Sequence, residues 1–216
     1  MKTIKFLSVV IIICSLCSLA DAQEQKRPST VSLLKPRLSS SATLMAALSQ
    51  RRSIREFKKD DLSLQVISDL LWAASGVNRP DSGKRTAPTA KNAQEIDVYV
   101  AVRDGLYLYN AKAHQLDPVF DQDIRAVVGI QGFVKDAPLS LIFVADLSRL
   151  SGSESEKMSY AWIDTGYISQ NVYLFCAAEN LATVAIGWVD KEALKSTMRL
   201  KPSQHIILVQ PVGLPR

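Results

Sequence analysis

Soft metal ligands are scarce in this chain: its 216 residues include two histidines, His114 and His205, and three cysteines, Cys14, Cys17 and Cys176. A zinc centre needs three or four such ligands at short spacing, and that pattern is missing. No GxGxxG follows a strand-like run and no GxxxxGK[ST] occurs, which excludes a Rossmann dinucleotide turn and a phosphate-binding P-loop. GxSxG is also absent, and spacing supports no nucleophile–base pair. His114 lies on a strand-like segment and His205 opens the last strand, so both read as structural. An enzyme with this inventory has to leave the reaction to a bound cofactor. The charge balance is also modest. Lys and Arg number 26 against 21 Asp and Glu, giving +5, too small an excess to argue for nucleic acid.

Long apolar runs are confined to the N-terminus. Lys2 and Lys5 precede an apolar stretch over residues 6–19, and Ala20-Asp21-Ala22 places small residues where a signal peptidase reads. The run is shorter than the roughly 20 residues of a spanning helix. We therefore expect a signal peptide over residues 1–22, cleaved after Ala22, and no stable membrane span afterwards. That places the protein in the periplasm or cell envelope. Lipidation at Cys14 or Cys17 is the competing reading, although Ile13 and Leu16 stand where a lipidation signal wants a small residue. Cleavage removes Lys2, Lys5 and Asp21, taking the formal charge from +5 to +4. Only Cys176 then remains, so no intrachain disulfide is possible. It lies in an apolar helical pattern and reads as a buried small hydrophobe.

What the chain does hold is Arg51-Arg52-Ser53-Ile54-Arg55-Glu56-Phe57, three arginines and a serine within five residues. Forked guanidiniums and a hydroxyl at this density suit one compact dianion, such as the phosphate of a cofactor. The alternative is a solvated basic helix end that complements the helix dipole.

Residues 23–42, rich in Ser, Pro, Lys and Arg, read as a tether to a single domain spanning 43–216. Helices are predicted over 43–50 and 64–75, the second capped by Ser63 and stopped by Gly76. The stretch 78–93 has no periodicity and reads as one long loop whose small residues let a flat ligand approach the backbone. Strands are expected over 96–102, 106–109, 114–120 and 139–145, the last buried on both faces. Residues 123–129 begin helical. A helix over 158–180, about 34 Å long, is apolar on all sides, which suggests burial or a subunit contact. A strand over 183–189, with Gly187 leaving room for a neighbour, a helix over 191–200 and a strand over 206–212 complete the chain. Strands and helices mix without regular βαβ alternation, so the class is α+β.

The 51–57 motif resembles the opening motif of the nitroreductase-like flavoproteins. Arg85-Thr86-Ala87-Pro88-Thr89-Ala90 followed by Val98-Tyr99-Val100 is similar to the branch related to SagB-type dehydrogenases. Leu71-Trp72-Ala73-Ala74-Ser75-Gly76, Gly105-Leu106-Tyr107-Leu108-Tyr109, Gln170-Asn171, Ala182-Thr183-Val184-Ala185-Ile186-Gly187 and Pro211-Val212-Gly213-Leu214-Pro215 match in the same order. The resemblance covers position 44 to the C-terminus.

It implies a mainly antiparallel central sheet flanked by helices, and a homodimer that holds FMN at its interface. The cofactor would be reduced by NADH, NADPH or another donor and reoxidised by a small organic acceptor, nitro or quinone-like. Carried over by residue, Arg51, Ser53 and Arg55 hold the phosphate and the pyrimidine side, and Arg52 shares that task. Pro88, Thr89 and Ala90 reach the flavin from the second subunit, and Gln131 bonds from a helix end. Ala185, Ile186 and Gly187 place backbone donors near the reactive edge, and Arg216 takes the part of C-terminal basic residues at the phosphate. Two departures stand out. The chain stops at Arg216 without the long C-terminal arm of many relatives, and Pro88-Thr89-Ala90-Lys91 replaces the Pro-Ser-Ala-Gly-like loop of peptide-modifying relatives. Oxidation of a cyclised residue in a modified peptide is therefore the second reading, and a flavin-binding envelope protein without turnover the third.

Overall fold

The structure is a computed structural model and describes residues 29–39 and 42–216. The expected signal peptide, residues 1–22, lies outside the described residues. In chain order the elements are β1 (Val31–Ser32), α1 (Leu44–Gln50), α2 (Leu64–Ser75), β2 (Val77–Arg79) and β3 (Lys84–Arg85). There follow β4 (Ile96–Val102), β5 (Gly105–Asn110), β6 (Gln115–Phe120), β7 (Leu139–Asp146), α3 (Glu154–Ala178), β8 (Ala182–Thr183), α4 (Lys191–Thr197) and β9 (Gln204–Gly213).

Seven strands form one sheet in the order β1-β6-β5-β4-β7-β9-β8, and every neighbouring pair is antiparallel. This is the α+β architecture expected from the mixed pattern. Strand β7 is buried along its whole length, and its period-two alternation feeds two cores. Leu139, Leu141, Phe143 and Ala145 join the core beneath α2 and α3. Ile142 and Val144 join the opposite core with Phe57, Ile124, Val134 and Leu194 of α4.

Helix α2 has the bounds read from its periodicity. Ser63 Oγ accepts the Val66 N–H at 3.3 Å to start it. The chain turns to extended backbone at Gly76 (φ −73°, ψ 160°), which ends the helix, and only glycine fits there because a Cβ would lie 2.7 Å from Trp72 Cα. Helix α3 begins at Glu154 rather than 158, because Ser153 and Glu156 form a reciprocal capping box. It is buried on one face only, through Ala161, Thr165, Ile168, Val172 and Cys176. The other face leaves Tyr160, Trp162, Ile163 and Tyr167 exposed in the protomer.

Two loop readings are corrected. The stretch 78–93 contains a hairpin, β2 with β3, turned by Pro80-Asp81-Ser82-Gly83 with Gly83 at φ +62°. It also contains a 3-10 turn over Ala90–Asn92. The strand expected over 183–189 stops after Thr183 and leaves a single bridge at Ile186 to Val209. The ladder breaks there because the Ala185 N–H is taken by a tyrosine hydroxyl instead of a strand. Within the protomer nothing crowds Gly187, whose Cβ would meet only Leu208 Cδ2 at 3.9 Å.

The segment expected as a tether is docked where it is described. Val31 pairs with Leu116, and Arg37 Nε meets Asp69 Oδ2 at 2.8 Å. His114 Nε2 donates to Leu34 O (3.0 Å), so its Nδ1 accepts from the Tyr109 hydroxyl (2.9 Å), a structural role. Among the described residues no helix is long and apolar enough to cross a membrane.

Candidate functional site

The arginine motif leaves α1 as an extended segment clipped to the sheet. Arg51 N–H still closes the helix on Ala47 O (2.9 Å), after which Ile54 N–H donates to Thr183 O (2.9 Å) and Lys58 N–H to Leu214 O (2.9 Å). Phe57 bridges Pro215, and Arg216 N–H reaches Glu56 O at 3.4 Å. Ile54 and Phe57 turn into the core. Arg52, Ser53 and Arg55 are thereby left on the outside, with exposed Arg216 alongside. A dipole-complementing helix end accounts for Arg51 at the C-cap, but not for Arg52 and Arg55, which lie beyond the helix.

Tyr173 of α3 ties this segment to the 185–187 stretch. Its hydroxyl accepts the Ala185 N–H at 2.8 Å and lies 2.9 Å from Ser53 Oγ, while the Arg51 guanidinium sits 5.2 Å from its ring centroid. The structure thus brings together Arg51, Ser53 and Ala185, with Arg52, Arg55, Ile186 and Arg216 on the same framework. Ile186 is buried and Gly187 exposed; of the three backbone donors expected at 185–187, that of Ala185 is taken by Tyr173 and that of Ile186 by Val209 O at 2.8 Å, because both residues stay tied to the framework. A cleft of about 430 Å³ opens beside Arg51, Arg52, Tyr173 and Asn180, and no carboxylate lines it. No salt bridge engages Arg51, Arg52, Arg55 or Arg216 among the described residues. The donor set therefore fits a phosphate dianion.

Tyr173 carried no local signal in the sequence, being one aromatic in a helix that is apolar on all sides. Replacing it with Phe removes the acceptor of a partly buried N–H. We expect Tyr173→Phe to lose about 1–2 kcal/mol in urea unfolding. Unchanged stability would show that the hydroxyl does not organise the segment.

Pro88, Thr89 and Ala90 lie elsewhere. Their loop places three non-glycine residues in the left-handed region, Lys91 (φ 54°), Asn92 (φ 55°) and Gln94 (φ 51°). Such strain persists only where the surroundings over-determine it, and it concentrates at functional sites. Here Thr89 Oγ1 accepts the Gln94 N–H (2.9 Å), Gln94 Nε2 donates to Gly83 O (3.0 Å), and Arg149 Nη1 donates to Gln94 O (3.0 Å). Ala90 N–H donates to Asp164 Oδ2 of α3 at 2.8 Å. Asp164 and Tyr173 are separated by about 13 Å along α3, at about 1.5 Å per residue. The loop and the arginine segment therefore occupy different stretches of one helix. Gln131 is a third location: its carbonyl accepts the Val134 N–H (3.0 Å) in the turn before β7.

Behind Ala90 lies a buried polar group that sequence reasoning missed. Glu95 is fully buried, and neither carboxyl oxygen has a partner; Arg85 Nε and Thr165 Oγ1 are also unpartnered. Burial, reinforced by the Asp164 carboxyl, pushes Glu95 up to about 7. Burial also pulls Arg85 down from its ordinary value, while its Nη1 donates to Ser75 Oγ (3.2 Å). No group of three or more His, Cys, Asp or Glu suited to a metal is found among the described residues. Cys176 is buried and its thiol is pushed up by desolvation, as an inert core residue should be.

The geometry coincides with a family match: residues 48–214 fit the nitroreductase family. The chain belongs to the nitroreductase family. Family membership supports an oxidoreductase activity of flavin type. A nitroreductase candidate of Methanocaldococcus jannaschii is 29% identical over 177 residues, covering 77% of this chain and 88% of its own. The crystal structure of a nitroreductase candidate from Ralstonia eutropha superposes with a TM-score of 0.84 at 38% identity, over 88% of this chain and 90% of that one. An NADH oxidase candidate from Clostridium acetobutylicum shares the fold at TM-score 0.53 and 22% identity, over 81% of this chain and 88% of its own.

Proposed function

We propose that this nitroreductase-family chain is an FMN-dependent oxidoreductase, transferring hydride from NADH, NADPH or another donor to a small nitro or quinone-like acceptor. The observation that carries the reading is the row of guanidiniums that form no salt bridge among the described residues, tied through Arg51, Ser53 and Tyr173 to the Ala185 backbone. Arg51, Ser53 and Arg55 would hold the phosphate and the pyrimidine side, with Arg52 and Arg216 adding positive charge. Fixed cations there stabilise negative charge that develops on a ring held beside them. Of the 185–187 backbone, the exposed Gly187 would supply the donor at the reactive edge, since the Ala185 N–H goes to the Tyr173 hydroxyl and the Ile186 N–H to Val209 O, and Gln131 would add a further polar contact. When bound, FMN supplies the hydride chemistry; the protein binds it, orients it and leaves one face open.

The separation of the 88–90 loop from the arginine segment along α3 supports a homodimer in which each loop serves the other subunit's site. The exposed aromatic face of α3, with Tyr160, Trp162, Ile163 and Tyr167, supports the same reading. Within the family we place the chain beside the SagB-type dehydrogenases, on the run from Arg85 to Ala90. We further propose export to the periplasm or cell envelope, on the strength of the N-terminal pattern.

An absorption spectrum of the purified 23–216 chain, followed by anaerobic NADH titration, tests the reading. We expect flavin bands that the nicotinamide bleaches. A protein that stays colourless after incubation with FMN would remove the proposal. A yellow protein that NADH cannot bleach would point to another donor or to binding without turnover.

A further inference from the structure

A second cavity, of about 840 Å³, lies between the β2–β3 hairpin, the 92–94 stretch and the turn after β5. It shares no lining residue with the cleft beside Arg51, and the flavin reading makes no use of it. Its volume falls within the roughly 300–1,000 Å³ of small-molecule sites.

The walls of this cavity are pinned from several directions. Gln94 Nε2 donates to Gly83 O (3.0 Å) and closes the 92–94 stretch on the hairpin. Trp72 Nε1 donates to Val77 O (3.2 Å), fixing an indole that forms the apolar wall with Val77, Pro80 and Ala111. His114 Nε2 donates to Leu34 O (3.0 Å), which holds the segment carrying Pro36 at the rim. A cavity held in this way exists before a ligand arrives, so little ordering is left to be done on binding.

The charge in the cavity comes from Arg85. Its backbone is set by Arg79 Nη2, which donates to Arg85 O at 2.6 Å, and by the Thr86 N–H on Gly76 O at 2.9 Å. The side chain is half-buried, with Nη1 donating to Ser75 Oγ at 3.2 Å and a buried Nε that has no partner. Among the described residues no carboxylate forms an ion pair with it. Asp97 is taken by Arg149 at 2.8 and 2.9 Å, and neither oxygen of Glu95 has a partner. A cation withdrawn from water without a counter-charge is costly until an anion meets it. Lys112 adds an exposed second cation at the rim, and the lining contains no Asp or Glu.

We propose that this cavity binds a small organic carboxylate, with its charge against Arg85 and Lys112 and a flat apolar body against Trp72 and Pro80. A single guanidinium with one nitrogen already given to Ser75 matches the two oxygens of a carboxylate better than the three of a phosphate. The phosphate grip proposed above is built differently, from several cations along 51–55.

Calorimetric titration of the 23–216 chain at pH 7 with 2-naphthoate, and with its neutral amide 2-naphthamide, tests the site. We expect the carboxylate to bind about tenfold more tightly than the amide or better, and Arg85→Gln to abolish that preference while binding the amide as before. Lys112→Glu changes only an exposed side chain and weakens carboxylate binding severalfold, which keeps the test decisive if circular dichroism shows Arg85→Gln unfolded. The chain with Arg51 and Arg55 both replaced by Ala keeps full 2-naphthoate binding, because those residues belong to the other cleft. Equal affinity for the two probes, binding of neither, or unchanged carboxylate affinity in a folded Arg85→Gln or in Lys112→Glu would overturn the proposal. Loss of binding in the Arg51 and Arg55 variant would overturn it too, by moving the anion to the other cleft. Displacement by equimolar inorganic phosphate would overturn the carboxylate assignment. None of these readouts involves FMN, so the proposal stands or falls apart from the flavin reading.

Discussion

If Arg51 and Arg55 grip the phosphate as proposed, replacing both by Ala is expected to lower FMN affinity by on the order of 10² to 10⁴-fold while the chain stays folded. The magnitude follows from charge-assisted contacts worth about 1.5–3 kcal/mol each, two of them lost, with each 1.4 kcal/mol equal to a factor of about ten. The fold survives because both side chains leave the core-facing positions to Ile54 and Phe57. The backbone clips to Thr183 and Leu214 use main-chain atoms that the substitutions keep. Arg51 loses its ring contact with Tyr173 as well, but Tyr173 keeps its hydroxyl bonds to Ala185 and Ser53. Fluorescence titration of the variant with FMN, alongside far-UV circular dichroism, checks both halves. Unchanged affinity in a folded variant would contradict the assignment of these guanidiniums to a phosphate. Loss of the fold would instead show that they hold the C-terminal segment in place.

Those residues were legible because the signal is local: three cations in five residues need no tertiary information to be noticed. The same holds for α2, where Ser63 and the spacing of Leu64, Ile67, Leu70 and Leu71 fix both ends, and for β4, whose β-branched run over Ile96–Val102 has the expected bounds. The errors fall where a distant partner decides. The expected 183–189 strand ends early because Tyr173, twelve residues from Ala185, claims the Ala185 N–H. Asp164 drew no attention in the sequence, because only the fold brings its carboxyl to the Ala90 N–H. The hairpin within 78–93 is a different kind of miss. Its turn residues, Pro80 to Gly83, were visible, but the flanking runs are too short and too polar to show strand alternation.

The largest effect of pH on stability is expected from Glu95. Its folded value is raised to about 7 from 4.5, so the protonated carboxyl is the form the fold prefers. The stabilisation is complete below pH 4.5 and is lost as pH rises to 7. The gap between those two values corresponds to about 3 kcal/mol, because a tenfold change in proton affinity is worth about 1.4 kcal/mol. Other groups act in different directions. Asp123 is held low by the side-chain hydrogen bond from Arg125. Burial would raise Asp146, but hydrogen bonds from Ser148 and Ser203 outweigh it and leave that carboxyl low as well. Both contribute stability above the ordinary carboxylate range that is lost in acid. Burial lowers His114, so its contribution is present above 6.5 and fades as pH falls, partly masking the Glu95 trend in the wild type. Glu95→Gln keeps all three of these groups and removes only the titration. We therefore expect the difference in unfolding free energy between Glu95→Gln and wild type, measured in urea, to grow by about 2–3 kcal/mol in favour of the variant from pH 5 to pH 8. A constant difference would mean that Glu95 is ionised in the folded chain at pH 5, with water or Arg85 balancing its charge. The unpartnered oxygens of Glu95 would then mark a hydrated carboxylate instead of a buried neutral carboxyl.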